Sequence, residues 1–226
     1  MASKRRSTRN AFPRRRQGGG AARFRDQAAA LAEIGRDFYR RGWAFGTSGN
    51  LSAVVSTQPL RLAITATGLD KSALTPAQFL ELGDAAQVIR GKGRPSSESL
   101  VHLAIARARG AGAVLHTHSV WSTIVSEAFA NEGGLAFEGF EMLKGLSGIR
   151  SHEYREWLPI IENCQDMPRL SGMIEAVLRE HPAAHGVLLR RHGLYTWGLD
   201  VAEAKRHVEI FEYLLEVVGR TRTVGC

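Results

Sequence analysis

Cysteine is nearly missing from this chain of 226 residues, which has only Cys164 and Cys226. Two cysteines outside any CxxC pair build no disulfide framework, so the expected compartment is a reducing one, the cytoplasm. There is also no run of about 18 apolar residues, the length a membrane-spanning helix needs. The N-terminal region lacks the apolar stretch of about 7–15 residues found in a secretory signal, because Arg, Ser and Gly interrupt it; no export is expected. No GxxxxGK[ST] segment occurs, which excludes a nucleotide P-loop. Internal repeats are absent as well.

Acidic residues are missing from one stretch only. Residues 1–25 hold nine of the 30 basic residues and no Asp or Glu, which leaves 21 basic against 22 acidic residues, a net −1, for the rest of a chain whose formal charge is +8. The charge excess that would suggest nucleic acid or an anionic membrane as partner therefore belongs to the first 25 residues. With Arg clusters, Pro13 and the Gly18-Gly19-Gly20 run, residues 1–22 have too little apolar content to offset the entropy of ordering them. They are expected to form a disordered basic tail, with neither membrane nor nucleic acid as partner. The remainder, 23–226, has the composition of a single globular domain, the whole chain being 44% apolar and 23% charged.

Within that domain, Phe24, Ala28, Leu31, Ile34 and Phe38 recur at helical steps, and Gly42 closes the segment. Leu51–Val55 and Leu60–Thr65 read as strands around a Ser-Thr-Gln-Pro turn, and Thr75-Pro76-Ala77-Gln78 opens a short helix. Ser97 or Ser99 is the expected cap of a helix running to about Arg109. Ala113-Val114-Leu115-His116 is a compact apolar strand, Ser171–Arg179 a helix and Gly186–Arg191 a buried strand. Leu194–Trp197 continues that strand or pairs with it as a hairpin. Asp200 caps a last helix whose apolar face carries Val201, Ala204, Val208, Phe211, Leu214 and Leu215. The short gaps predict antiparallel pairing in an α/β domain.

The sharpest chemical signal is His116-Thr117-His118. Side chains two apart in a strand share a face, so both imidazoles can address one ion while Thr117 turns away. A third ligand must come from elsewhere. His192 follows an apolar strand and precedes Gly193, which permits a close backbone approach. His102, His207, His181 and His185 read as core or solvated histidines, and His152 stays undecided. Three turns form a second constellation: Gly46-Thr47-Ser48-Gly49-Asn50, Thr65-Ala66-Thr67-Gly68 and Pro95-Ser96-Ser97-Glu98. Their amides and hydroxyls suit phosphate oxygens. Two carboxylates are candidates for proton transfer. Glu98 opens a helix, and Glu141 lies among Phe137, Phe140, Met142 and Leu143, where burial would raise its pKa.

The order of these blocks, with Arg190-Arg191-His192-Gly193 after them, resembles the class II aldolase family of metal-dependent sugar-phosphate lyases, epimerases and dehydratases over roughly residues 25–220. Glu141-Met142-Leu143-Lys144-Gly145, Pro159-Ile160-Ile161-Glu162-Asn163 and the segment from Val187 to Gly198 resemble its dehydratases. The resemblance implies a three-layer α/β/α domain with a mostly antiparallel central sheet, assembled as a homotetramer with active sites at subunit contacts. It implies one Zn²⁺ per subunit on His116, His118 and His192. It also implies phosphate binding by Gly49, Asn50, Thr67, Gly68, Ser96 and Ser97, and hence a small phosphorylated ketose as partner. The acid–base group is Glu98 by likeness to the family's aldolases and Glu141 by likeness to its dehydratases. A ketose-1-phosphate aldolase, a pentulose-phosphate epimerase and a metal-free binding protein on the same fold are the competing readings. Deleting residues 1–20 should lower the isoelectric point and leave bound metal unchanged in a metal analysis; loss of metal on deletion would give the tail a part in the domain.

Overall fold

The computed structural model describes residues 20–224, so the expected disorder of the tail falls, for residues 1–19, outside the described residues, as does Cys226. Helix α1 (Gly20–Arg40) begins inside the segment assigned to the tail and buries Phe24, Ala28, Leu31, Ile34 and Phe38, the residues whose spacing predicted it. The chain then turns at Gly42, whose φ of 79° suits glycine. Strands β1 (Asn50–Thr57) and β2 (Leu60–Thr65) pair antiparallel as expected. Three residues, Pro76–Gln78, form a 3-10 turn capped at Thr75. Two short strands follow that sequence patterning did not reveal, β3 (Phe79–Leu82) and β4 (Val88–Arg90).

Helix α2 (Ser99–Arg109) does not use a serine cap. Glu98 occupies the cap position without capping, and the Ser99 hydroxyl donates back to the Ser96 carbonyl at 2.7 Å. Strand β5 (Ala113–Thr117) leads into helix α3 (Val120–Ala128), where Ser119 Oγ accepts from Ser122 N at 2.9 Å. Strands β6 (Gly134–Phe137) and β7 (Glu156–Ile161) were also not foreseen, being short and separated by a long irregular stretch. Helix α4 (Met167–Glu180) starts four residues before the expected Ser171, because Asp166 caps it by accepting from Arg169 N at 3.0 Å. Strand β8 (Gly186–Leu189) stops short of Arg191, which takes φ 53° and turns the chain into β9 (Gly193–Gly198), its antiparallel hairpin partner. Asp200 caps α5 (Val201–Val224), accepting from Glu203 N at 2.9 Å.

The sheet runs β4-β3-β2-β1-β5-β9-β8-β7-β6, and every neighbouring pair is antiparallel except β7 with β8. Alternation along the strands divides the core. Leu51, Ala53, Ala113 and Leu115 face α1 and α5, while Leu188 and Leu194 face α3 and α5. Val54, Val114, Val187, Leu189 and Tyr195 face α2 and α4 on the opposite side. This is the expected α/β/α layering, with each fully buried aliphatic side chain contributing roughly 1.5–3 kcal/mol.

One polar contact crosses the α5 layer behind β5. Thr117, turned away from its histidine neighbours as predicted, donates to Glu212 Oε1 at 2.6 Å. Glu212 is 2% exposed, and burial, outweighing that hydroxyl, pushes its carboxyl up to about 7. A Glu raised in the folded state is protonated there when the unfolded chain has already lost the proton. Its contribution therefore falls as pH rises from about 4.5 to about 7 and stays low above that, a loss of about 3 kcal/mol. Glu212→Gln should therefore gain stability over the parent between pH 5 and pH 8 in urea unfolding; an unchanged difference between the two pH values would contradict the assignment.

Candidate metal centre

The centre is built at the end of β5, where the sheet register sets His116 between Asn50 of β1 and Tyr195 of β9. All three side chains lie on the α2 face. The Tyr195 ring stacks on His116 at 3.8 Å between centroids with 10° between planes. His118 follows two residues later, its backbone N–H tied to the Trp43 carbonyl at 2.8 Å. His192 arrives from the β8–β9 turn. Its close approach needs Gly193, since a Cβ there would lie 2.0 Å from the Thr117 carbonyl oxygen and 3.0 Å from His116 Cε1. Gly49 has φ 72° and is also close on the other side, where a Cβ would meet the His116 carbonyl oxygen at 2.8 Å.

The three Nε2 atoms converge, at 2.7 Å between His116 and His118, 3.3 Å between His116 and His192, and 3.0 Å between His118 and His192. Hydrogen bonds behind the rings fix this orientation. His116 Nδ1–H donates to the Leu194 carbonyl at 2.9 Å, and His192 Nδ1–H to Asn163 Oδ1 at 3.3 Å, so the Nε2 lone pairs point inward. Burial, reinforced by the neighbouring imidazoles, holds His116 well below the ordinary histidine range and brings His118 down to about 3. Burial also lowers His192. Inward lone pairs without protons repel one another unless a cation lies among them, and neutral imidazoles are what zinc takes. The residues fit the ion.

A carboxylate completes the group. Glu98 Oε1 stands 3.3 Å from His192 Nε2 and 3.6 Å from His116 Nε2, and the four ligand atoms of Glu98, His116, His118 and His192 lie within 4.8 Å of one another. Asn50 Nδ2–H donates to Glu98 Oε2 and, at 3.2 Å, to Ser96 Oγ, while its Oδ1 accepts from His102 Nε2–H. His102, fully buried, takes the Ser52 hydroxyl on Nδ1 at 2.7 Å, and burial brings it down to about 3. It is the core histidine the helical pattern suggested, and it aligns the amide that aligns Glu98.

The predicted phosphate turns also meet here. Gly49, Asn50, Thr67, Gly68, Ser96 and Ser97 line one cavity of about 250 Å³ together with Glu98, His118 and His192. The Asn50 amide is committed to Ser96, Glu98 and His102, so its side chain orients the centre. Lys71, Gln165 and Met167 line the cavity too, and sequence reading did not single them out. Lysine two residues after a Gly-Leu pair carries no distinctive pattern.

Glu141 departs from expectation. It does not line this cavity, its side chain is 73% exposed, and Lys144 Nζ donates to Oε1 at 2.6 Å, holding the carboxyl below its ordinary range rather than above it. Its apolar sequence neighbours do not enclose it, because in the 3-10 turn Glu141–Gly145 only Leu143 is buried. The undecided His152 lies beside it, exposed, at 3.9 Å from Oε2.

Comparison with known proteins places this geometry. The family model for the Class II Aldolase and Adducin N-terminal domain matches residues 29–218. The chain is 41% identical over 202 residues to methylthioribulose-1-phosphate dehydratase of Methylococcus capsulatus, covering 89% of this chain and 97% of that one. It is 39% identical to the enzyme of the same name from Sorangium cellulosum, covering 86% and 92%. Among solved structures, an L-fuculose 1-phosphate aldolase shares the fold with a TM-score of 0.72 at 20% identity, covering 89% of this chain and 88% of that one.

His116→Ala removes the innermost of the three nitrogens and should leave the purified protein without bound metal in elemental analysis. Full metal content in that variant would dismiss the three-histidine site.

Proposed function

The chain belongs to the class II aldolase and adducin family, and from that premise we propose that it is a hydro-lyase of methionine salvage that dehydrates 5-methylthioribulose 1-phosphate to 2,3-diketo-5-methylthiopentyl 1-phosphate. The observation that carries this reading is the meeting of the Gly, Thr and Ser turns with Glu98, His118 and His192 in one cavity, where those three residues converge with the buried His116, together with relatives of that name aligned over most of both chains. His116, His118 and His192 would hold a zinc ion, which when bound would supply the Lewis acidity that makes the C3 proton of the ketose more acidic.

The chain's own groups do the rest. The turns carrying Gly49, Thr67, Gly68, Ser96 and Ser97 bind the phosphate through amides and hydroxyls and so fix the sugar's position. Glu98, held by Asn50 beside the three histidines, is placed to take the C3 proton. A second proton must reach the departing C4 hydroxyl, so that water leaves and the enol becomes the diketone. Glu141 is our proton donor for that step. Exposed, absent from its own chain's cavity and kept ionised there by Lys144, it would take that role across a subunit contact of a homotetramer, in the cytoplasm, on the neighbouring chain's centre, where the Lys144 contact must be exchanged for the carboxyl to carry a proton.

One observation favours a second reading. Glu98 stands at the centre, where a class II ketose-1-phosphate aldolase would use it, and cleavage of C3–C4 needs no donor at C4. Incubation with 5-methylthioribulose 1-phosphate separates the two: a diketone absorbance that vanishes with chelator supports the dehydratase, and an aldehyde product supports the aldolase. Glu98→Gln and Glu141→Gln should each lose turnover while Glu141→Gln keeps its zinc, and mixed oligomers of the two variants should regain part of it. No recovery on mixing, with hybrid formation verified by mass, would return Glu141 to a surface role.

A further inference from the structure

Among the described residues Lys71 is the one Lys or Arg lining the cavity, and it is 2% exposed. Its ammonium donates to the Leu69 carbonyl at 2.9 Å and to the Thr47 carbonyl at 3.3 Å, leaving one of its three donors unassigned. No carboxylate pairs with it among the described residues. The adjacent Asp70 turns its own carboxylate to Ser72 N at 2.8 Å, as cap of the 3-10 turn Lys71–Ala73. A buried cation without a counter-ion is costly, and such an arrangement persists where an anion is to be received. The two carbonyls belong to the turns that precede and follow Gly49 and Gly68, both of which take φ of 72°. They hold the charge between two of the three turns read above as phosphate-binding.

Resting on that reading of the cavity, we infer that Lys71 is the cation that receives the substrate's phosphate, adding a full charge to the partial charges of the amides and hydroxyls. A phosphate held by Lys71 and the turns shares the cavity with His118 and His192, so Lys71 selects a phosphorylated ketose over its unphosphorylated counterpart. The competing account makes Lys71 a strut between Thr47 and Leu69 with no part in binding.

Inorganic phosphate, used as probe on the zinc-loaded full chain, distinguishes them without calling on turnover. Phosphate should raise the Tm of the parent protein. Lys71→Met, which removes the charge, and Lys71→Gln, which removes the charge and retains donors, should each weaken phosphate binding roughly 10- to 100-fold with one zinc retained per chain. A parent-like phosphate response in either folded variant overturns the inference, and so does loss of zinc from both, which would assign Lys71 to the metal centre. Lack of turnover with 5-methylthioribulose 1-phosphate would sink the proposed reaction alone, since phosphate binding is read separately.

Discussion

Three imidazole lone pairs facing one another at 2.7–3.3 Å are the constraint on which the rest of the site depends. Nothing in the protein alone makes that approach favourable, so every neighbouring feature works to hold it. Gly49 and Gly193 give the backbone clearance, the Leu194 carbonyl and Asn163 fix two ring orientations, and Tyr195 backs His116 as a stacked plate. The arrangement suits a cation, and packing of the two apolar layers holds the strands that present it.

The sheet serves as a switchboard between its faces. From β5, even-numbered Val114 and His116 point to the α2 side and Thr117 to the α5 side, so the metal centre and the Thr117–Glu212 contact share one strand. On the α2 side a relay runs from Ser52 through His102 and Asn50 to Glu98, and each member is buried or held by the next. Burial keeps His102 neutral, which lets its Nε2–H donate and orient the amide. Polar groups that far inside must be satisfied, and the relay meets that requirement while aiming a carboxylate.

The proposed anion recognition uses little net charge. The domain beyond residue 25 is close to neutral, and among the described residues the cavity's polar side chains are hydroxyls, amides and imidazoles with one lysine and one glutamate. Local concentration of donors replaces the broad basic surface that nucleic acid would need. The basic excess of the first 25 residues is separate from it in sequence.

The legible parts were those governed by local periodicity. A strand's two-residue period places His116 and His118 together and Thr117 apart, and an apolar strand ending in His-Gly marks His192; helical spacing marks the buried face of α1 and α5. The strands β3, β4, β6 and β7 were not legible, because Glu81, Glu156 and Pro159 interrupt two of them, β6 opens on a glycine and β4 is exposed throughout. The burial of Glu141 was misread for another reason: apolar neighbours in sequence predict burial only if the backbone folds them around the carboxylate, and a 3-10 turn sends it outward to Lys144. The sequence by itself determined the residue types of the candidate centre, the mixture of helices and antiparallel strands and the three donor-rich turns, since these follow from side-chain chemistry and periodicity, while the layered arrangement followed from the family resemblance. Only the tertiary structure decided that Glu98 rather than Glu141 stands beside the histidines of its own chain and that Lys71 is buried in their cavity, because proximity between residues so far apart in sequence is set by strand register and not by spacing along the chain.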